Sequence, residues 1–249
     1  MLKVVVLFKK HNIINRRGVH DEFTANHVYK IRDMCLKYIT EHEFYCLTDC
    51  NKITDVNTIP LVDDLQGWWS KLELFKISGP VLYLDLDVII VNNIDDIINE
   101  IKNNFFVCLT HWNYFKNVTE KNKQLAYVEG INTSLMYWEN DISFLYNEFK
   151  KITLAETKEY NNNKKETNFL YNTFSKDWNI IRSDQDVVTF ILKKTNKNNI
   201  ITPFPRWGTD VVTFRRFFAR SKKPKHYSQR KIIVFHGSPR PWEQDIVPY

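Results

Sequence analysis

The sequence predicts an α/β protein with a mixed, mostly parallel central sheet flanked by helices, and three observations carry that expectation. A β-branched apolar run over residues 3–8, helical spacing over 22–40 and a second apolar run over 43–47 give strand, helix and strand in succession, the pattern of a parallel βαβ unit. The continuous apolar segment Val81-Leu82-Tyr83-Leu84 lacks polar alternation, as expected of a central strand covered on both faces. The chain has 249 residues, 43% of them hydrophobic and 14% aromatic, enough for one sizeable core. It shows no internal repeat and no clean linker, so a single domain over 1–249 is expected.

Along the chain, Phe23, Val28, Ile31, Met34, Cys35 and Tyr38 fall mainly on one face of the first helix. The strand 43–47 ends at the polar pair Thr48-Asp49. Residues 68–78 read as a helix stopped by Gly79-Pro80, with Lys71 on the face opposite Leu72 and Phe75. Asp85 and Asp87 come directly after the strand 81–84, and an apolar run resumes at Val88-Ile89-Ile90-Val91. A short helix over 94–103, a strand over 105–110, a strand around Ser134 to Tyr137 and a helix over 141–152 follow. Residues 154–167 are polar and low in complexity, with Asn161-Asn162-Asn163-Lys164-Lys165, and are expected to form an exposed loop. Ser183-Asp184 signals the N-terminus of a helix over 184–194, and Lys231 to Phe235 form a last strand that ends at His236-Gly237.

The net charge of +6 and a pI near 9.0 favour an anionic partner: nucleic acid, an anionic membrane or a phosphorylated small molecule. With 6 glycines, glycine-rich phosphate loops are excluded. Cys35, Cys46, Cys50 and Cys108 lie among apolar neighbours, and no second pair or nearby histidine completes a zinc site around Cys46 and Cys50. They are expected to be buried, reduced thiols. The N-terminus reads as a core strand rather than a secretory signal, and no apolar run reaches the length of a membrane span. A cytoplasmic protein is therefore expected, in the host cytoplasm if the source is viral.

Asp85 and Asp87 are the sharpest chemical feature. In an extended segment, residues two apart point to the same side, so both carboxylates are expected to converge at the end of a buried strand, where open α/β sheets bind ligands. Paired carboxylates repel unless a proton or cation separates them. A hard divalent ion, Mg²⁺ or Mn²⁺, prefers such oxygen ligands and can neutralise a leaving diphosphate. The bland alternative is a solvated turn after a strand, since Asp-x-Asp alone is common.

The block Gly67-Trp68-Trp69-Ser70-Lys71-Leu72-Glu73-Leu74-Phe75, the segment through Asp87 to Ile94-Asp95, and the C-terminal Val234-Phe235-His236-Gly237-Ser238-Pro239-Arg240-Pro241-Trp242 resemble the GT-A glycosyltransferases. The likeness is to family 8 in particular and to a related, mostly uncharacterised group from bacteria and viruses. Weaker matches at Phe44 to Asp49, Asn132-Thr133-Ser134 and Asp184-Gln185 extend the resemblance, in order, over nearly the whole chain. It implies a GT-A, Rossmann-like nucleotide-diphospho-sugar transferase fold. It also implies transfer of a hexosyl or pentosyl group from a nucleotide-diphosphate sugar, UDP-sugar favoured, to a glycan, lipid-linked or protein hydroxyl.

The resemblance also assigns roles. His236 would complete a metal site with Asp85 and Asp87, and an imidazole beside two carboxylates leans toward Mn²⁺ over Mg²⁺. Lys71 would reach the donor's sugar or phosphate. Gly237 and Arg240 would lie near the diphosphate, where a guanidinium fork suits phosphate oxygens. The family motif usually carries lysine at the Arg240 position after a longer gap. Asn132 and Ser134 fall near the donor sugar and acceptor, and Asp184 with Gln185 at the transferred sugar. A carboxylate of Asp184 or Asp186 is a candidate base if the reaction inverts, whereas no clear nucleophile is expected if it retains. A capping role for Asp184 stands beside this. The end of the first strand, Phe8-Lys9-Lys10, would border the base and ribose, which makes Lys9 a donor-side candidate by location alone, and Arg215 would contact phosphate or acceptor.

Two other classes compete. Nucleotidyl transfer also uses paired carboxylates and a metal, but would more naturally carry a glycine-rich loop after the first strand than Phe8-Lys9-Lys10-His11. A non-catalytic binder of nucleic acid or anionic glycan is suggested by the basic segment 215–231 with its interleaved aromatics. On the favoured reading no nucleic-acid partner is expected, and that segment is a candidate for peripheral membrane contact.

Overall fold

The structure, a computed structural model, describes residues 1–9, 23–63, 65, 67–110, 131–160, 183–214, 227–235 and 240–243. Its strands are β1 (Lys3–Phe8), β2 (Glu43–Thr48), β3 (Asn57–Pro60), β4 (Val81–Leu84), β5 (Val88–Ile90), β6 (Phe106–Thr110), β7 (Ile131–Trp138), β8 (Ile201–Pro203), β9 (Val211–Thr213) and β10 (Ile232–Val234). Its α-helices are α1 (Ala25–Tyr38), α2 (Asp95–Ile101), α3 (Phe144–Tyr160) and α4 (Asp184–Lys194), and a 3-10 helix spans Gly67–Lys76.

Seven strands form one sheet in the order β3-β2-β1-β4-β7-β6-β8. β3, β2, β1 and β4 run parallel, β7 is antiparallel to β4 and β6, and β8 returns parallel to β6. The continuous apolar runs serve both faces of this sheet. Val4, Val6, Leu82 and Leu84 pack toward Val28, Ile31 and Cys35 of α1. Val5, Val81 and Tyr83 pack toward Leu72, Leu74 and Phe75, Leu145 and Phe149 of α3, and Val187, Val188 and Ile191 of α4. A smaller sheet, β5-β10-β9, lies beyond the end of β4. The chain therefore passes from one sheet to the other between Leu84 and Val88.

Several elements differ from the sequence reading. Residues 67–76 form a 3-10 rather than an α-helix. Residues 70–75 are buried all round, and burial between the sheet and two helices overrides the α-preference of Leu, Glu and Lys. α3 continues to Tyr160, so residues 154–160 of the expected loop are helical instead. Leu154, Ala155, Glu156, Lys158 and Glu159 are good helix formers, and the asparagine run lies outside the described residues. β3, β8 and β9 are too short to show periodicity. The helix ends at Lys76, before the expected stop, and Gly79, at φ +92°, turns the chain toward β4 in the left-handed region that suits glycine. All four cysteines are buried and free, and burial pushes the thiols of Cys35, Cys46 and Cys108 up. Among the described residues no helix is long and apolar enough to cross a membrane.

Candidate active site

Asp85-Leu86-Asp87 is a turn, closed by the Val88 N–H donating to the Asp85 carbonyl at 3.0 Å. The expected strand alternation therefore does not apply to the two carboxylates. Other contacts fix the turn. The Asp85 N–H donates to the Ser134 carbonyl of β7 at 2.8 Å, and the Phe235 N–H, just past β10, donates to the Asp87 carbonyl at 3.2 Å. Buried Leu86 anchors its middle. The turn is thus pinned to both sheets where they meet.

Asp85 belongs to a buried polar network. The Lys71 ammonium lies 2.9 Å from Asp85 Oδ1 and 3.2 Å from Asp184 Oδ2, and donates to Thr133 Oγ1 at 3.5 Å. The Tyr83 hydroxyl donates to Asp85 Oδ1 at 2.5 Å, and the Thr133 hydroxyl donates to Asp184 Oδ2. Burial opposes the charge on Lys71, but the carboxylates of Asp184 and Asp85 outweigh it and leave its pKa raised. Burial and the Asp85 carboxylate hold the Tyr83 phenol well above its ordinary value, so it remains a donor. Thr133 reaches this network because β7 is irregular. Cys108 pairs with Met136, but its neighbour Leu109 pairs with Asn132, so residues 133–135 bulge from the β6 ladder.

Asp87 points into a different set of contacts. Arg240 Nη1 donates to Asp87 Oδ2 at 2.5 Å, with the side chains 13% and 9% exposed. The guanidinium lies 5.1 Å from the Phe23 ring centre and 6.0 Å from that of Trp242. Phe23 and Trp242 meet edge to face at 5.4 Å, and His27 lies 4.3 Å from Trp242. His27 Nδ1 in turn accepts from the Thr24 N–H at 2.8 Å, a capping box with histidine in the usual Glu or Gln place. The segment 240–243 is therefore docked on the start of α1. Burial, followed by the charge of Asp85, pushes the Asp87 carboxyl up to about 7 against the pull of Arg240 and Lys71. The two carboxylates are close enough to repel.

The remaining expected site residues divide. Asp184 opens α4, but its side chain goes to Lys71 and Thr133 rather than capping the helix. Asp186 accepts from the Ser183 hydroxyl at 3.1 Å, and Gln185 is half-buried. Asn132 Oδ1 accepts from the Ser134 N–H at 2.9 Å, so this side chain shapes the bulge, and Ser134 meets Asp85 through its carbonyl. Lys71 is buried with Leu72 and Phe75 rather than on a solvated opposite face. The Lys9 ammonium donates to the Leu65 carbonyl. Trp69 stacks on Phe149 at 6.4 Å and forms part of a packed wall. His236, Gly237 and Arg215 lie outside the described residues. Among the described residues no group of three or more His, Cys, Asp or Glu is assembled to hold a metal. At the end of the basic segment, Arg230 donates to the Thr209 carbonyl at 2.6 Å and Lys231 pairs with Asp96 at 2.6 Å. Tyr83, Thr133, Phe23 and His27 were not singled out from sequence. Thr133 was signalled only by its place between Asn132 and Ser134.

No protein-family model matches the chain, and no curated protein does. Solved structures do. The galactosyltransferase LgtC, in complex with donor and acceptor sugar analogues, superposes with a TM-score of 0.53 at 12% identity, over 98% of this chain and 90% of that one. An active-site mutant of LgtC gives 0.54 at 12% identity, over 99% and 91%. The glycosyltransferase GlyE of Streptococcus pneumoniae gives 0.57 at 12% identity, over 99% of this chain and 58% of that one. At this identity the likeness is one of architecture: the chain has the mixed α/β GT-A fold that these glycosyltransferases share.

Proposed function

We propose that this chain is a metal-dependent glycosyltransferase acting as a single domain. Its donor is a nucleotide-diphosphate sugar, a UDP-sugar first, and its acceptor a hydroxyl on a glycan, lipid-linked or protein substrate. The reading rests on one observation: the Asp85-Asp87 turn lies at the carboxyl end of β4, where the two sheets meet and Lys71, Asp184 and Arg240 converge. Open α/β sheets bind ligands at such strand ends.

The residues suit a divalent cation. Asp85 and Asp87 offer hard oxygen ligands, and burial, followed by the charge of Asp85, raises the Asp87 carboxyl, so added positive charge at this turn would favour its ionised form. They would hold Mn²⁺, or Mg²⁺, with His236 as third ligand. The ion, when bound, neutralises charge on the leaving diphosphate. Arg240, a planar donor beside Asp87, is suited to phosphate oxygens. In the reaction the bond between the anomeric carbon and the diphosphate oxygen breaks, a bond to the acceptor oxygen forms, and the acceptor proton leaves. A carboxylate at the start of α4, Asp184 or Asp186, is the candidate to take it if the reaction inverts.

The test is a thermal-shift screen of nucleotide sugars with and without Mn²⁺, followed by assay of the product. Ligand binding to the native state raises its unfolding temperature. Release of nucleoside diphosphate, lost in Asp87→Ala, is expected. Release of pyrophosphate would mark nucleotidyl transfer instead, and full activity of Asp87→Ala in excess chelator would overturn the metal reading.

A further inference from the structure

We propose that Lys71 and Thr133 are positioning residues that couple the Asp85 carboxylate to the Asp184 carboxylate, rather than groups that bind the donor. The proposal rests on the reading of Asp85 and Asp87 as a cation-binding pair.

An ammonium has three N–H donors. Those of Lys71 face both oxygens of Asp85, at 2.9 and 3.2 Å, Oδ2 of Asp184 at 3.2 Å and the Thr133 hydroxyl at 3.5 Å. The Lys71 side chain is 9% exposed. A cation so buried and so fully engaged has no donor left for a phosphate or sugar. The Thr133 hydroxyl has one proton, and it goes to the same Asp184 oxygen that Lys71 holds. That oxygen thus receives a charge and a hydrogen bond from two different elements, the 3-10 helix and the β7 bulge. Tyr83 fixes Asp85 from the strand below. The arrangement is a bridge: carboxylate, ammonium, carboxylate, with a hydroxyl setting one end.

A bridge transmits. When Asp184 is neutralised, the whole Lys71 charge falls to Asp85 and competes harder with a cation there. When Lys71 is absent, Asp184 loses its connection to Asp85. The coupling is therefore visible in metal affinity, with no donor and no turnover.

The experiment is a double-mutant cycle read by calorimetric titration of Mn²⁺ alone into the intact chain. Asp184→Asn is expected to weaken Mn²⁺ binding about fivefold, a coupling of ordinary size for residues in one ion-pair network. In the Lys71→Met background the same change is expected to have less than about a twofold effect, because coupling requires the shared partner. Lys71→Met strips the cation from the buried Asp184 carboxylate and the half-buried Asp85 carboxylate, so Thr133→Val serves as the gentler variant. It is expected to shift the Mn²⁺ Kd in the direction opposite to Asp184→Asn, because Asp184 Oδ2, relieved of the Thr133 donor, holds the Lys71 ammonium harder and draws it from Asp85. Thr133→Ser is expected to reverse the shift, which a purely space-filling role for the side chain would not predict. If the parent chain binds Mn²⁺ and Asp184→Asn leaves its Kd unchanged, the bridge is wrong. If the parent chain fails to bind Mn²⁺, the cation-pair reading is wrong and the bridge falls with it.

Discussion

Arg240→Ala is expected to strengthen, not weaken, the binding of Mn²⁺ in the absence of donor. The guanidinium donates to Asp87 Oδ2 at 2.5 Å in a pair whose side chains are 13% and 9% exposed. A cation using that carboxylate must displace the guanidinium or share the oxygen with it. A hydrogen bond to a charged group contributes about 1.5–3 kcal/mol, and each 1.4 kcal/mol is about tenfold in affinity. Full displacement therefore predicts Mn²⁺ binding tighter by about one to two orders of magnitude in the variant. Nucleotide-diphosphate sugar should respond in the opposite sense, because Arg240 is the group suited to its phosphates. Calorimetric titration of the parent and variant with Mn²⁺, then with donor at saturating Mn²⁺, separates the two effects. The variant should also unfold at lower temperature in chelator, since Asp87 is left buried without its partner, and Mn²⁺ should recover more of that loss than it adds to the parent chain. Weaker Mn²⁺ binding in Arg240→Ala would refute the competition and make Arg240 a support of the metal site.

Other expectations follow from particular contacts. The Asp87 carboxyl is pushed up to about 7, above its unfolded value. Without a cation its contribution to stability is thus full below about pH 4 and is lost as pH rises through about 7. A cation needs the ionised form, so the Mn²⁺-induced rise in Tm should be small near pH 5.5 and reach a plateau above about 7.5; a rise independent of pH would argue against Asp87 as a ligand. Glu73, whose side chain is fully buried, accepts from the Val62 and Asp63 N–H groups at 3.1 and 3.0 Å. Glu73→Ala should cost about 2–4 kcal/mol in urea unfolding through the loss of those partners, and a loss under 1 kcal/mol would show that water replaces them. Gly79→Ala should cost about 1–2 kcal/mol, since the left-handed φ of +92° is strained for alanine. Its Cβ would meet Lys3 Nζ only at an ordinary 3.5 Å, so a larger loss would mean that the added methyl group clashes as well.

Much of the architecture was legible in the sequence because it is written in short-range patterns. The βαβ start, the central strand 81–84, the turn at Gly79-Pro80 and the helix that opens at Ser183-Asp184 each rest on neighbouring residues, and each is observed. The position of Asp85 and Asp87 at the end of a buried strand was legible for the same reason. Their surroundings were not. Asp87 meets Arg240 across 153 residues, and Lys71 meets Thr133 across 62. Lys71 read as a solvated or donor-binding lysine because helical periodicity says which face it lies on, not what packs there. Thr133 carried no role in the sequence reading, because its contact with Asp184 depends on a register shift between β6 and β7.

What the sequence by itself determined is the layered α/β frame and the presence of two carboxylates at one strand end, since periodicity and local turn chemistry act over a few residues. Only the tertiary structure decided that those carboxylates sit in a turn between two sheets. It also gave one of them to a buried lysine and the other to an arginine from the far end of the chain. Ion pairing in a buried site depends on distance in space and on the exclusion of water, and neither is encoded in spacing along the chain.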